Sequence, residues 1–170
     1  MARTSITDVQ SVLDPAQTWN WDMFLPNIPG SGGSAARALT IKCISTSMPG
    51  SQIEQVGLEA HGVKLNFAGR RQWSGTWQAT FFETRDSSTR NSFINWMEFS
   101  RSWNRNSGAY KADYAVSCSL SLYDDLPQII KTTRVVGIFP TAVEDSNLDQ
   151  TSGIIQYAVT FSFDYTEEIV

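Results

Sequence analysis

The stretch Ile154–Tyr165 reads I-I-Q-Y-A-V-T-F-S-F-D-Y. Ile155, Tyr157, Val159, Phe161, Phe163 and Tyr165 fall at every second position, with Gln156, Ala158, Thr160, Ser162 and Asp164 between them. Alternate side chains of an extended chain point to opposite faces, so this pattern predicts a half-buried β-strand. Burying the six apolar side chains gains on the order of 10 kcal/mol gross, at about 1.5–3 kcal/mol each. Ordering about a dozen residues costs a similar amount, at roughly 1–2 kcal/mol per backbone residue. The strand therefore needs sheet partners, and a slip of one residue would turn its whole apolar face to water.

The same two-residue period recurs upstream. Trp19, Trp21 and Met23 share a face in Ala16–Leu25, and Pro26 ends that strand. Pro26–Ala38, rich in Gly and Ser, reads as a loop that is flexible or ordered only on assembly, as does 1–15. Strands are expected at Leu39–Ser47, at Ile53–Leu58 and Val63–Phe67 around His61-Gly62, and over a long run Gln72–Glu83. Tyr114–Tyr123 places Tyr114, Val116, Cys118, Leu120 and Leu122 on one face and small polar residues on the other. Thr132–Phe139 follows, closed by Pro140, and Thr141–Gly153 is an acidic loop. One helix is expected from Asp86-Ser87-Ser88 to Gly108, with Phe93, Trp96, Met97 and Trp103 on its core side. The fold class is mainly β, a sandwich or barrel with one packed α-helix, in a single domain spanning 1–170.

Composition narrows the function. The chain has 170 residues, 41% hydrophobic and 18% charged, with a net charge of −4. That balance is globular, and an acidic whole argues against a surface built to grip phosphates. Ten basic and six acidic residues lie between Lys64 and Arg134, whereas no Lys or Arg follows Arg134. Such asymmetry suits contact between copies of the chain. Arg70-Arg71 beside Trp73, and Arg101 with Arg105, form too small a basic–aromatic cluster to predict single-strand binding. Cys43 and Cys118 read as reduced core thiols, with a disulfide left open. No signal peptide or membrane span is expected.

No catalytic, cofactor or metal site is expected. His61 is the single histidine and sits in a predicted turn, no second His or C-x-x-C completes a zinc set, and no G-x-S-x-G elbow exists. The carboxylate pairs Asp124-Asp125 and Glu167-Glu168 are adjacent, so on a strand they point apart.

Two stretches resemble the contractile-phage tail tube protein family. The first runs from Lys42 to Trp77 and contains A-G-R-R-Q-W at Ala68–Trp73, leading through Phe93-Ile94-Asn95-Trp96. The second is V-V-G-I-F-P-T-A-V-E, Val135–Glu144, followed by the final strand and D-Y-T-E at Asp164–Glu167. The resemblance covers about residues 39–168 and is weakest over Pro26–Ala38. It implies hexameric rings with a continuous inner β-barrel, stacked into the inner tube of a contractile tail. The implied partners are further copies of the chain, the tail sheath protein, baseplate and tail terminator proteins, and viral DNA or a tape-measure protein passing through the lumen without specific binding. It implies a virion protein assembled in the host cytoplasm, with no membrane anchor. It also implies that residues 46–73 form an inter-ring hairpin loop. Ile53, Glu54, Val56, Arg70, Arg71, Asp164, Glu167 and Glu168 are the expected inter-subunit contacts. A paralogous component is the alternative: a baseplate tube initiator, or a tube or ring protein of a phage-tail-like or type VI injection system. A carbohydrate-binding sandwich using Trp19, Trp21 or Trp103 as platforms is a reading of a different class.

Overall fold

The computed structural model describes residues 18–31, 33–105, 107–124, 128–146, 148 and 153–169. Its elements, in order, are β1 (Trp21–Phe24), α1 (Gly33–Lys42), β2 (Cys43–Thr46), β3 (Ser51–Ala60), β4 (Val63–Trp73), β5 (Thr76–Phe82), α2 (Ser88–Ser100), α3 (Lys111–Tyr114), β6 (Val116–Tyr123), β7 (Ile129–Val143), β8 (Gln156–Ser162) and β9 (Tyr165–Ile169). The main sheet runs β1-β6-β7-β8-β5-β2, with β9 also on β7, and every pair is antiparallel. Strands β3 and β4 form a separate hairpin.

The C-terminal strand is the spine of this sheet. Val143 faces Val159, Phe139 faces Ser162, Val136 faces Tyr165 and Thr132 faces Ile169. Strands β8 and β9 are thus two halves of one partner to β7, interrupted at Phe163-Asp164. The ribbon bends there. Gly137 has φ +74°, and a Cβ on it would lie 2.7 Å from the carboxyl carbon of Asp164. Glycine supplies both the left-handed backbone and the missing side chain. The Asp164 N–H donates to the Val136 carbonyl at 3.0 Å, and its carboxylate accepts from Lys111 Nζ at 2.6 and 2.7 Å. The bend divides the sheet into two halves, β1-β6-β7-β9 and β2-β5-β8-β7, that share β7.

The core lies between the halves. Trp77, Ala79, Phe81, Val159 and Phe161 face Met23, Cys118, Leu120, Val135 and Ile138, all buried. Helix α2 inserts Phe93 and Trp96 into this space, with Phe93 4.8 Å from Phe81 and 5.8 Å from Phe161 between ring centres. The helix starts without a side-chain bond from its N-cap Ser87, which has φ 53°. Glu83 serves instead: its carboxylate accepts the N–H groups of Thr89 and Arg90 at 3.0 Å each. Burial pushes the Glu83 pKa up. The N–H groups of Arg90, Thr84 and Thr89, with the Thr89 hydroxyl, outweigh this and hold it below its ordinary 4.5. A lowered carboxylate contributes stability that is complete above pH 4.5 and is lost as pH falls through the folded-state value. Glu83→Gln is therefore expected to cost about 1 kcal/mol at neutral pH and to flatten the acid limb of a stability–pH profile below that point. Chemical denaturation across pH 2.5–7 checks this (roughly the range in which carboxylates titrate).

Several expectations change. Gly33–Lys42 is helical where a loop and the start of a strand were expected; Ala36 and Leu39 anchor it in the core. The run from Gln72 breaks at Ser74-Gly75, so Trp73 belongs to the hairpin and only Thr76–Phe82 to the sheet. Helix α2 stops at Ser100, leaving Trp103 86% exposed, and it is one of three helical segments among the described residues. Residues 111–114 are a helical turn, so β6 begins at Val116. Pro140 does not close β7: pairing with β6 ends at Ile138, so Pro140 lies where β7 has only β8 beside it, a place that tolerates a missing N–H. Tyr165 leaves the core row because the ribbon bends before it. Both cysteines are free. Residues 141–143, expected to begin the acidic loop, belong to β7; the segment 1–15 and, in the acidic loop, positions 147 and 149–152 lie outside the described residues. No helix among the described residues is long and apolar enough to cross a membrane.

Candidate assembly surface

The hairpin β3–β4 turns at His61 (φ 52°) and Gly62 (φ 77°), two consecutive residues in the left-handed region, as a tight two-residue turn requires. Its register pairs Val56 with Phe67, Leu58 with Leu65 and Ala60 with Val63, while Gly57 pairs with Asn66 and Glu59 with Lys64. Paired residues share a face, so one side of the hairpin is apolar and the other polar. None of the described residues covers the apolar side: Val56, Leu58, Val63, Leu65 and Phe67 are each 49–57% exposed. An isolated two-stranded hairpin of this kind is marginal in water and gains its stability from a surface laid against it.

Its root is built firmly. At the irregularity between Ile53 and Gln55, a Cβ on Gly69 would lie 2.9 Å from the Glu54 carbonyl and 3.0 Å from Val56 Cγ2, so only glycine lets the strands close. Arg71 donates to the Ser51 hydroxyl from Nε at 3.0 Å and Nη2 at 2.9 Å, with its guanidinium 5.6 Å above the Trp73 ring. Trp73 Nε1 donates to Thr166 Oγ1 at 3.1 Å, and the ring meets Tyr165 edge-on at 6.2 Å. The hairpin is thereby fastened to β9.

The eight residues expected at contacts fall into two groups joined through Trp73. Ile53, Glu54, Val56, Arg70 and Arg71 lie on the hairpin, all exposed, though Arg71 turns back to the root. Asp164, Glu167 and Glu168 lie at the bend or on β9, and each has a partner within the chain: Lys111 at 2.6 Å, Arg134 at 3.7 Å and Lys131 at 2.8 Å. Sequence reasoning passed over Leu58, Val63, Leu65 and Phe67, although their alternation across the His61-Gly62 turn carried the signal.

Chemistry is sparse elsewhere. Burial pushes the Cys43 thiol up to about 12 and drives the fully buried Cys118 thiol upward too, so neither is a reactive nucleophile. Among the described residues, no three of His, Cys, Asp and Glu gather to hold a metal ion.

The profile of the family described as phage tail tube protein matches residues 20–167, which takes in the core, the hairpin and the bend. The chain belongs to this family. It is a tail tube subunit, a structural component of the virion. The tail tube protein gp19 of Enterobacteria phage T4 is 27% identical over 132 residues, covering 75% of this chain and 80% of that one, and its counterpart in phage T6 matches to the same extent. Among solved structures, the tail tube fold recurs in the sheath/tube terminator of PVC, an extracellular contractile injection system. There the TM-score is 0.67 at 16% identity, over 94% of this chain and 100% of that one. It recurs also in the sheath–tube complex of the same system, with a TM-score of 0.63 at 16% identity, over 98% and 99% of the two chains. At such identities the likeness is one of fold. The two stretches of family resemblance meet physically in this chain, where Trp73 of A-G-R-R-Q-W packs on Tyr165 of D-Y-T-E; within the second stretch, Gly137 of the G-I-F-P-T-A-V element makes room for Asp164.

Proposed function

We propose that the chain closes into rings of six copies that stack into the hollow inner tube of a contractile tail, with the hairpin 46–73 bridging one ring to the next. The observation that carries this is the hairpin's one-sided apolar face. It is rooted on β9 through Trp73 yet left half exposed by the described residues, and a neighbouring copy supplies what it lacks. Each copy contributes strands to a continuous barrel, which removes the exposed edges of the sheet. A sheath surrounds the tube, baseplate and terminator proteins meet its ends, and DNA or a tape-measure protein passes through without specific binding. Electron microscopy of the purified chain is expected to show rings or hollow tubes; a chain that stays strictly monomeric at high concentration overturns the proposal.

Charge sets the stacking. Arg70 and Arg71 stand at the hairpin root, and the acidic flank Asp164, Glu167 and Glu168 carries only half-exposed internal pairs, worth about 0–1 kcal/mol each. Those carboxylates keep acceptor capacity for a neighbour. Replacing both arginines by glutamate is expected to shorten or abolish tubes while the subunit stays folded. Raising salt from about 0.05 to 0.5 M should weaken stacking of the unaltered chain. Tubes of unchanged length in both experiments would remove this role.

A further inference from the structure

The inward row of β1 and β6 runs past the end of the core. Met23 pairs with Leu120 and both are buried, whereas two residues on Trp21 pairs with Leu122 and both are only half-buried. Between this pair and the link from β2 to the hairpin lies a cleft of about 210 Å³, lined chiefly by Thr18, Trp21, Thr46, Met48, Leu120 and Leu122. The link is pinned beside it at two points. Trp77 Nε1 donates to the Ser47 carbonyl at 2.7 Å, and the Thr133 hydroxyl donates to Met48 Sδ at 3.8 Å. Met48 itself stays 46% exposed. The described lining carries no charged group. Small-molecule sites usually span about 300–1,000 Å³, so the cleft is small for one. An apolar cavity of about 150 Å³ takes a benzene-sized group, so this one suits one or two aliphatic side chains.

Thr18, the first described residue, is part of that lining. Immediately upstream, residues 5–14 read S-I-T-D-V-Q-S-V-L-D. Ser5 and Asp8 have the spacing of a capping box, and Pro15 follows as a stop. Ile6, Val9 and Leu13 share the i, i+3, i+7 spacing of one helical face, with Val12 at its margin. So short a segment does not hold a helix in water and takes that form only against a surface that covers its apolar side. It also precedes residues 20–167, the part matched by the tail tube family.

We infer that residues 6–13 dock over this cleft in the same chain as a short amphipathic helix, seating Val9 and Leu13 on Trp21, Met48 and Leu122. Reach favours the chain's own segment. Leu13 stands five residues before Thr18, so it lies no further than about 18 Å from the lining. A segment so tethered acts at an effective concentration of about millimolar, an advantage that a neighbouring copy lacks. The hairpin face of another copy is a poorer fit, because its apolar side chains spread over two strands about 4.8 Å apart. Docked there, the segment covers Met48 and steadies the base from which the hairpin projects. The dock is a property of the single subunit and stands or falls apart from the tube reading.

Hydrogen exchange of the full chain as dilute, dispersed subunits tests this. Backbone amides of residues 6–13 are expected to exchange slower than in a free peptide of the same sequence by about tenfold or more. Leu13→Asp on the segment and Met48→Asp on the cleft should each abolish that protection, while amides of β5 and β8 exchange as before. Both positions lie outside the buried core, so neither variant is expected to unfold the subunit. Exchange at the free-peptide rate in the unaltered chain overturns the inference. So does protection that survives both substitutions, which places the segment elsewhere, or protection that appears only as concentration rises, which gives the cleft to another copy.

Discussion

Replacing Leu65 and Phe67 by aspartate is expected to give a well-folded subunit that forms no tubes. Five apolar side chains on this face are about half exposed. Full burial of such groups is worth about 1.5–3 kcal/mol each, so covering the remainder gains roughly 4–7 kcal/mol per hairpin. Two carboxylates in the middle of that contact remove much of the gain and add desolvation of charge. The subunit itself has little to lose. Both positions are exposed, so its unfolding free energy should move by no more than about 0.5 kcal/mol per site. The matching change on the polar face, Glu59→Gln opposite Lys64, is expected to leave assembly unaltered. Sedimentation and negative-stain microscopy, beside a thermal melt of the dispersed chain, check both arms. Normal tubes from the double aspartate variant would mean that this face is not an assembly contact.

Gly137→Ala is expected to be strongly damaging for a single-methyl change, at roughly 2–4 kcal/mol of stability. Two costs combine. The backbone at φ +74° is strained for any residue with a Cβ, and the new methyl enters the space of the Asp164 carboxylate. That carboxylate has little freedom, because its own N–H is tied to Val136 and its oxygens to Lys111. Asp164→Ala alone loses a partly exposed ion pair worth about 0–1 kcal/mol. The double variant should therefore be more stable than the sum of the single losses predicts, since the clash is gone while the backbone strain stays. Denaturant titrations of the four proteins give the coupling. Strict additivity would show that the carboxylate yields freely and that backbone strain alone makes Gly137 necessary.

Much of the architecture was legible because burial in a sheet follows a two-residue period. The alternation in Gln156–Phe163 marked Val159, Phe161 and Phe163 as core, and that of Tyr114–Tyr123 marked Cys118 and Leu120. His61-Gly62 announced a tight turn, and the family resemblance rested on residues that proved to be joints. Where local composition and tertiary burial disagreed, burial prevailed. The Gly/Ser-rich approach to Lys42 reads as a loop, yet Ala36 and Leu39 find a core surface, and helices in proteins owe most of their stability to such packing. Trp103 keeps helical spacing with Phe93 and Trp96, but the helix ends three residues short of it.

The opening pattern of alternating residues determined that the C-terminal segment is a strand, which of its sides is apolar, and that it requires partners. Those properties are carried by each residue and its immediate neighbours. Only the tertiary structure decided that the strand breaks at Phe163-Asp164 and serves two half-sheets, because the break depends on Gly137, 27 positions earlier, leaving room for the Asp164 side chain. Only it decided that the apolar side of the hairpin β3–β4 is left about half exposed. Which strands become neighbours is set by long-range packing, and strand periodicity contains no record of it.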